Sequence, residues 1–364
     1  MKLARLATPL AAATLTLSLT ACSSIGPDAV RGQRVAYNLA VQETNDQELL
    51  LNLVRLRYRD SLYFLSVERV AATLELNSSL AAGVSIPESG NRTFGLGPGS
   101  VALNDKPTIF YTPVEGERFT RQLMKPLDPE LLLLLANSGW SLERVMVLGL
   151  LEMNGLPNAP TASGPTPAVA PRYREFREAA RALRELQQQG LVTLGRLPGS
   201  ADNTVLELRF KPECQNSAAA QRFRSLLGLN PALDAYRVVP GFGRGDGSTV
   251  LFAPRSLMAM LSYISQGVAA PAADVKAGRV TQTVDEQGQP FDWQQVLGGL
   301  LRVSSSRSRP ADAAVSVNYR DQWFYVADND LESKSTFALL SQLFALQAGS
   351  SAVQGTSVGF SINR

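Results

Sequence analysis

The sequence predicts an α+β protein, helices mixed with mainly antiparallel strands, in two lobes split by a proline-rich linker. Candidate strands pair locally. Ala314–Tyr319 and Gln322–Ala327 flank a turn at Arg320-Asp321, and Leu191–Leu194 and Thr204–Phe210 flank Leu197-Pro-Gly-Ser-Ala-Asp-Asn. Arg172–Gln189 has the clearest helical period: Phe176, Ala179, Ala180 and Leu183 form one stripe, with Arg174/Glu178 and Arg181/Glu185 as i,i+4 pairs on the solvated side. No segment repeats with a period of about 20–50 residues. Local pairing of this kind argues against a parallel, doubly wound sheet.

Residues 1–21 read as a signal peptide. Lys2 and Arg5 precede an apolar stretch from Leu6 to Leu19 that is too short and wrongly flanked to span a membrane. Leu19-Thr20-Ala21-Cys22 resembles the lipobox of bacterial lipoproteins, which implies cleavage before Cys22 and acylation of its thiol. Ser23 follows where an aspartate would favour inner-membrane retention, so the same resemblance implies an outer-membrane lipoprotein facing the periplasm. Acyl chains suffice for such an anchor, at about 0.8 kcal/mol per buried methylene. Downstream, the longest pure apolar run is Leu131–Ala136, far below the roughly 20 residues of a helical span. The tether Ser23–Asp28 reaches about 20 Å when extended, which would keep the body close to the membrane.

The N-terminal lobe is expected over 22–155. A first helix runs from about Asp28 to Asp60, with apolar residues at 49, 50, 53, 54 and 56. Leu62–Ser85 reads as extended, Pro87–Lys106 as a Gly/Pro/Asn-rich loop, and Pro107–Pro113 as a strand. Short helices fit Glu115–Lys125 and Pro129–Ser138, the second with Asp128 as N-cap and proline at its first position. Ser141–Met153 fits helix or strand, because its apolar run shows no period. Five prolines in Leu156–Pro171 mark the linker.

The C-terminal lobe, 172–364, continues after the Arg172 helix with the Leu191/Thr204 hairpin. A helix at Ala218–Leu227, a strand at Tyr236–Val239 and a strand-then-helix at Thr249–Gln266 come next. Gly267–Pro290 reads as a mobile loop. The Ala314/Gln322 hairpin, a helix at Ser333–Gln347 and an alternating edge piece at Ser357–Asn363 close the chain. Four blocks, Leu49–Asp60, Pro107–Leu127, Gly139–Leu156 and Trp323–Gln347, together resemble an uncharacterised family of proteobacterial outer-membrane lipoproteins. That resemblance implies no site residues.

Composition narrows the chemistry. The chain has no histidine, which excludes Ser-His-Asp and Cys-His nucleophiles and histidine-ligated zinc or haem. Gly355-Thr-Ser357-Val-Gly359 therefore matches a hydrolase elbow without its base. None of the six lysines has a serine three residues before it, so the Ser-x-x-Lys signature is missing too. Glu115/Glu117 and Asp128/Glu130 are the local carboxylate pairs that a glycosidase could use. Asp328-Asn-Asp330-Leu-Glu332 reads as the cap of the Ser333 helix rather than a calcium loop, which would need a central glycine. Gly241–Gly247 reads as a flexible turn, lacking both the third dinucleotide-binding glycine and a Walker lysine.

Arg55, Arg57, Arg59 and Arg69 crowd the first helix and its exit. They read as a solvated face, with contact to phosphate head groups as the alternative. Trp323-Phe324-Tyr325, Phe337 and Leu343 read as core. With Cys22 acylated, Cys214 has no internal disulfide partner; it reads as a buried, inert thiol, or else as one half of a mixed disulfide with a partner. A net charge of +3 that includes Lys2 and Arg5 is no argument for nucleic-acid binding. No catalytic residue, metal site or cofactor is predicted. The expected function is a non-enzymatic binding or scaffold subunit of a cell-envelope assembly, with an envelope protein as partner. The alternatives are a carboxylate-dependent peptidoglycan hydrolase and a carrier of a hydrophobic ligand.

Overall fold

The computed structural model describes residues 25–79, 82–85, 93–96, 100–113, 117–197, 205–215 and 217–349. Leu19, Thr20, Ala21, Cys22, Ser23, Glu115 and the Ser357–Asn363 piece lie outside them. The protein is α+β, with mixed sheets that are antiparallel except for one strand pair. It divides into two compact units, residues 63–115 and the remainder.

The small unit consists of two antiparallel pairs. Strands β1 (Leu65–Ser79) and β4 (Ser100–Pro113) run together with a bulge between Val67 and Arg69, and β2 (Ala82–Ser85) pairs with β3 (Thr93–Leu96). The segment 87–106, expected as a loop, thus supplies β3 and the first half of β4. Its glycines and asparagines misled because Thr73–Ser79 offers a ladder that Ser100–Lys106 completes.

The large unit opens with α1 (Ile25–Arg57), which buries Leu49, Leu50, Leu53 and Val54, the positions whose spacing marked the helix. Helices α2 (Glu117–Met124), α3 (Pro129–Asn137) and α4 (Leu142–Gly149) follow, then β5 (Leu150–Met153) and β6 (Leu156–Pro157). Ser141–Met153 shows no period because it is a helix passing directly into a strand, almost wholly buried. Next come α5 (Arg174–Gln188), β7 (Val192–Arg196), β8 (Leu206–Phe210), α6 (Ala218–Leu227), β9 (Ala235–Pro240) and β10 (Thr249–Pro254). Helices α7 (Leu257–Ser265), α8 (Ala272–Lys276) and α9 (Gln294–Leu297) lead to β11 (Ser304–Ser306), β12 (Ala313–Tyr319), β13 (Gln322–Ala327) and α10 (Leu331–Gly349).

A six-stranded sheet, ordered β6-β5-β10-β9-β8-β7, takes strands from both sides of the proline-rich segment. The boundary expected at 156–171 is therefore absent. Asn154 and Gly155 (φ 47° and 78°) form the turn that folds β6 back onto β5. Beyond it, Asn158 donates through Nδ2 to the carbonyls of Val147 (2.8 Å) and Leu150 (2.7 Å), and Val169 bridges to Val284. Pro160 opens a short 3-10 helix, and the Asn158 and Pro167 carbonyls accept from the buried side chains of Arg255 and Thr283, so composition resembles a linker while the segment is tied to the body.

The second sheet, β11-β13-β12, packs under α1. Its hairpin turns at Arg320-Asp321 as expected, with positive φ at both residues (52° and 60°). Phe324, Phe337 and Leu343 are buried, in line with the core reading, whereas Trp323 and Tyr325, alternating with Phe324 along β13, are only half-buried.

Gly267–Pro290, expected as a mobile loop, contains α8 and a buried acid. Asp274 accepts from Tyr58 Oη (2.6 Å) and from Arg279 Nη1 (2.7 Å). The Tyr58 hydrogen bond, helped by Arg279, holds its carboxyl below the usual carboxylate range. A depressed folded-state value adds stability above the unfolded value of about 3.9, which is lost as pH falls through the folded value. Asp274→Asn should thus cost about 1–3 kcal/mol at pH 7 and less at pH 3, below the unfolded value. Urea unfolding at the two pH values checks this, and a penalty independent of pH would refute it.

Candidate binding cleft

The large unit has a polar cleft of about 530 Å³. It lies among the start of α4, the face of α5, the Gly298–Leu300 connection and the first turn of α10. Ser141 caps α4, accepting from Arg144 N at 3.4 Å. Gln187 ties that end to α5: its Oε1 accepts from Leu142 N (2.9 Å), and its Nε2 donates to the Trp140 carbonyl (3.1 Å).

Arg144, Arg177 and Arg184 line the cleft. The first two side chains keep only 10% and 6% of their surface exposed. Arg177 Nη2 donates to the Gly298 carbonyl at 3.0 Å and lies 3.6 Å from Glu143, which Arg181 also approaches at 3.8 Å. Arg144 pairs with Glu332. Neither arginine has a partner for its buried Nε, and neither Nη1 donates to another described residue. The connection is tight because a Cβ at Gly298 would meet the Gln294 carbonyl at 2.5 Å.

Such a site can hold an anion or a ligand rich in acceptors. It is poorly built for acid–base work, since both of its carboxylates, Glu143 and Glu332, are committed to guanidinium groups. Comparison with protein-family models, with curated proteins and with solved structures finds no match to this chain.

Sequence reasoning did not single out the cleft arginines. Arg177 lies in the amphipathic Arg172–Gln189 helix, and its place beside the apolar Phe176 and outside both Arg–Glu pairs is the only hint. Among the expected carboxylates, Glu117 pairs with Arg121, Asp128 with Lys125 and Glu130 with Arg196, all on exposed surface. Asp330 caps α10 as read, accepting from Ser333 N at 3.0 Å. Cys214 is fully buried, donating weakly to the Leu191 carbonyl at 3.6 Å, and burial pushes its thiol up. Among the described residues no three His, Cys, Asp or Glu side chains cluster as metal ligands. Between the six-stranded sheet and helices α3–α6 lies an apolar cavity of about 70 Å³, lined by Met146, Met153, Leu183, Phe223 and Phe252 among others. Ligand pockets usually hold roughly 300–1,000 Å³.

Proposed function

We propose that this chain is a lipid-anchored outer-membrane lipoprotein, facing the periplasm, that serves as a non-enzymatic binding or scaffold subunit of an envelope assembly. The observation that carries the binding reading is the arginine-lined cleft, whose two acids are occupied by ion pairs. A hydrolase reading would want a carboxylate free to protonate a leaving oxygen. A hydrophobic-carrier reading would want far more room than the apolar cavity offers. The lipobox-like Leu19–Cys22 supports the anchor, and the body resembles proteobacterial outer-membrane lipoproteins.

A scaffold role gains support from α1. Val35 and Leu39 are more than half exposed on a stretch that leaves the core before Leu49. From Ile25 to Leu49 the helix rises about 36 Å, so an anchor at Cys22 would allow the core to stand farther from the bilayer than a short extended tether. In-cell crosslinking of the tagged protein, read by mass spectrometry, tests the proposal. A stoichiometric envelope protein joined to α1 or to the cleft is the expected result. Recovery of glycan fragments cut by the purified protein would overturn it.

A further inference from the structure

Among the described residues three buried arginines, Arg57, Arg224 and Arg255, have no carboxylate partner, and the first and last of them differ in one respect. Arg255 offers every guanidinium nitrogen to an acceptor: Nε to Ser163 Oγ, Nη1 to the Val147 and Leu148 carbonyls, Nη2 to the Asn158 carbonyl. It lines no cavity described above, and its role is structural. Arg57, 7% exposed, donates from Nε to the Val268 carbonyl (3.4 Å) and from Nη1 to Thr166 Oγ1 and the Thr281 carbonyl (both 3.1 Å). Its Nη2 has no acceptor among the described residues and is not sealed from solvent.

That nitrogen belongs to a side chain lining a cavity of about 310 Å³, which shares no residue with the arginine-lined cleft. The volume is at the lower end of small-molecule sites. A second cation, the exposed Arg302, joins it; the one acid in the lining, Asp292, is exposed and already accepts from Gln294 N at 2.9 Å. The cavity therefore has an excess of positive charge around a buried cation, an arrangement that costs free energy until a counter-charge arrives. Burial lowers the Arg57 ionisation to about 10, a sign of the same deficit.

The remaining lining adds two chemistries. Phe291 and Trp293 meet edge to face, with centroids 5.4 Å apart, and Trp293 Nε1 is taken by Thr283 Oγ1, leaving the indole as apolar surface. Gln282 and Gln294 bring amides that both donate and accept, the functionality that recognises hydroxyl groups.

We propose that this cavity binds a carboxylated sugar unit, with the acid on Arg57 Nη2 and Arg302, the ring against Phe291 and Trp293, and the hydroxyls on the glutamine amides.

Calorimetric titration of the purified full chain with glucuronate, glucose and inorganic phosphate tests this. Glucuronate should bind at one site, with glucose and phosphate each at least about tenfold weaker, the worth of one charge-assisted contact. Arg57→Lys should weaken glucuronate, but Arg57 also ties α1 to the core. The deciding variant is therefore Arg302→Gln on the exposed rim, expected to bind glucuronate about tenfold less tightly with an unchanged melting temperature. No glucuronate binding, equal binding of glucose or phosphate, or an Arg302→Gln variant that binds like the parent would each overturn the proposal.

Discussion

Replacing Arg255 by methionine is expected to destabilise the protein by about 3–6 kcal/mol, a large part of the 5–15 kcal/mol that holds most domains folded. Arg255 is fully buried beneath the C-terminal end of α4. Its Nη1 donates to the Val147 and Leu148 carbonyls at 2.8 and 3.3 Å, its Nε donates to Ser163 Oγ at 3.0 Å, and its Nη2 meets the Asn158 carbonyl. The charge sits where the helix dipole favours a cation, and the guanidinium lies 4.0 Å from the Tyr263 ring centroid. Desolvation lowers its ionisation only to about 10, so it stays protonated at neutral pH. Methionine fills much of the volume, but the Leu148 and Asn158 carbonyls lose their side-chain donor inside the core. Each orphaned carbonyl costs about 1–3 kcal/mol, and the lost ring contact adds up to about 2. Urea unfolding measures the difference. A loss below about 1 kcal/mol would mean that water enters and re-satisfies these groups.

Arg255 also shows why part of the structure was legible in sequence and part was not. Periodic features were readable: the 49–56 spacing of α1, the stripe of α5, the hairpin at Arg320-Asp321 and the strand-then-helix at 249–265 all fold as their patterns require. Each depends on neighbours in sequence. The proline-rich segment was misread because its order comes from contacts beyond it, with Arg255 donating to the Asn158 carbonyl and Asn158 donating to Val147 and Leu150, which composition does not reveal. Arg57 was misread in the same way. As one of several arginines on a helix it resembles a solvated face or a head-group contact, yet it is buried against Thr166 and Thr281, more than a hundred residues away. The cleft arginines share this fate. Whether an arginine is surface, strut or site depends on which acceptors the fold brings to it, and that information is non-local. Capping by Asp330 was legible because its partner, Ser333, is three residues away.

Cys22→Ala is expected to move the protein almost entirely from the outer-membrane fraction to the soluble periplasmic fraction. The reasoning is energetic. One acyl chain gives only marginal, reversible attachment, whereas two or three chains at about 0.8 kcal/mol per methylene hold a soluble body on a leaflet for as long as any assay lasts. On the proposed anchor, removing the thiol would remove every chain at once, because each would be attached through the processing of that residue. Among the described residues no helix is long and apolar enough to cross a membrane. The substitution should leave the fold untouched, since the first buried position of α1 in the described core is Leu49. The melting temperature of the released protein should therefore equal that of the detergent-solubilised parent. Release with unchanged melting assigns the membrane attachment to the lipid. Retention in the outer membrane would sink the anchor, and would shift attention to the exposed Val35 and Leu39 of α1 as a protein-mediated attachment. The assay separates two roles for one helix. As a stalk, α1 loses its attachment with Cys22; as a docking surface, it keeps the protein at the membrane without it.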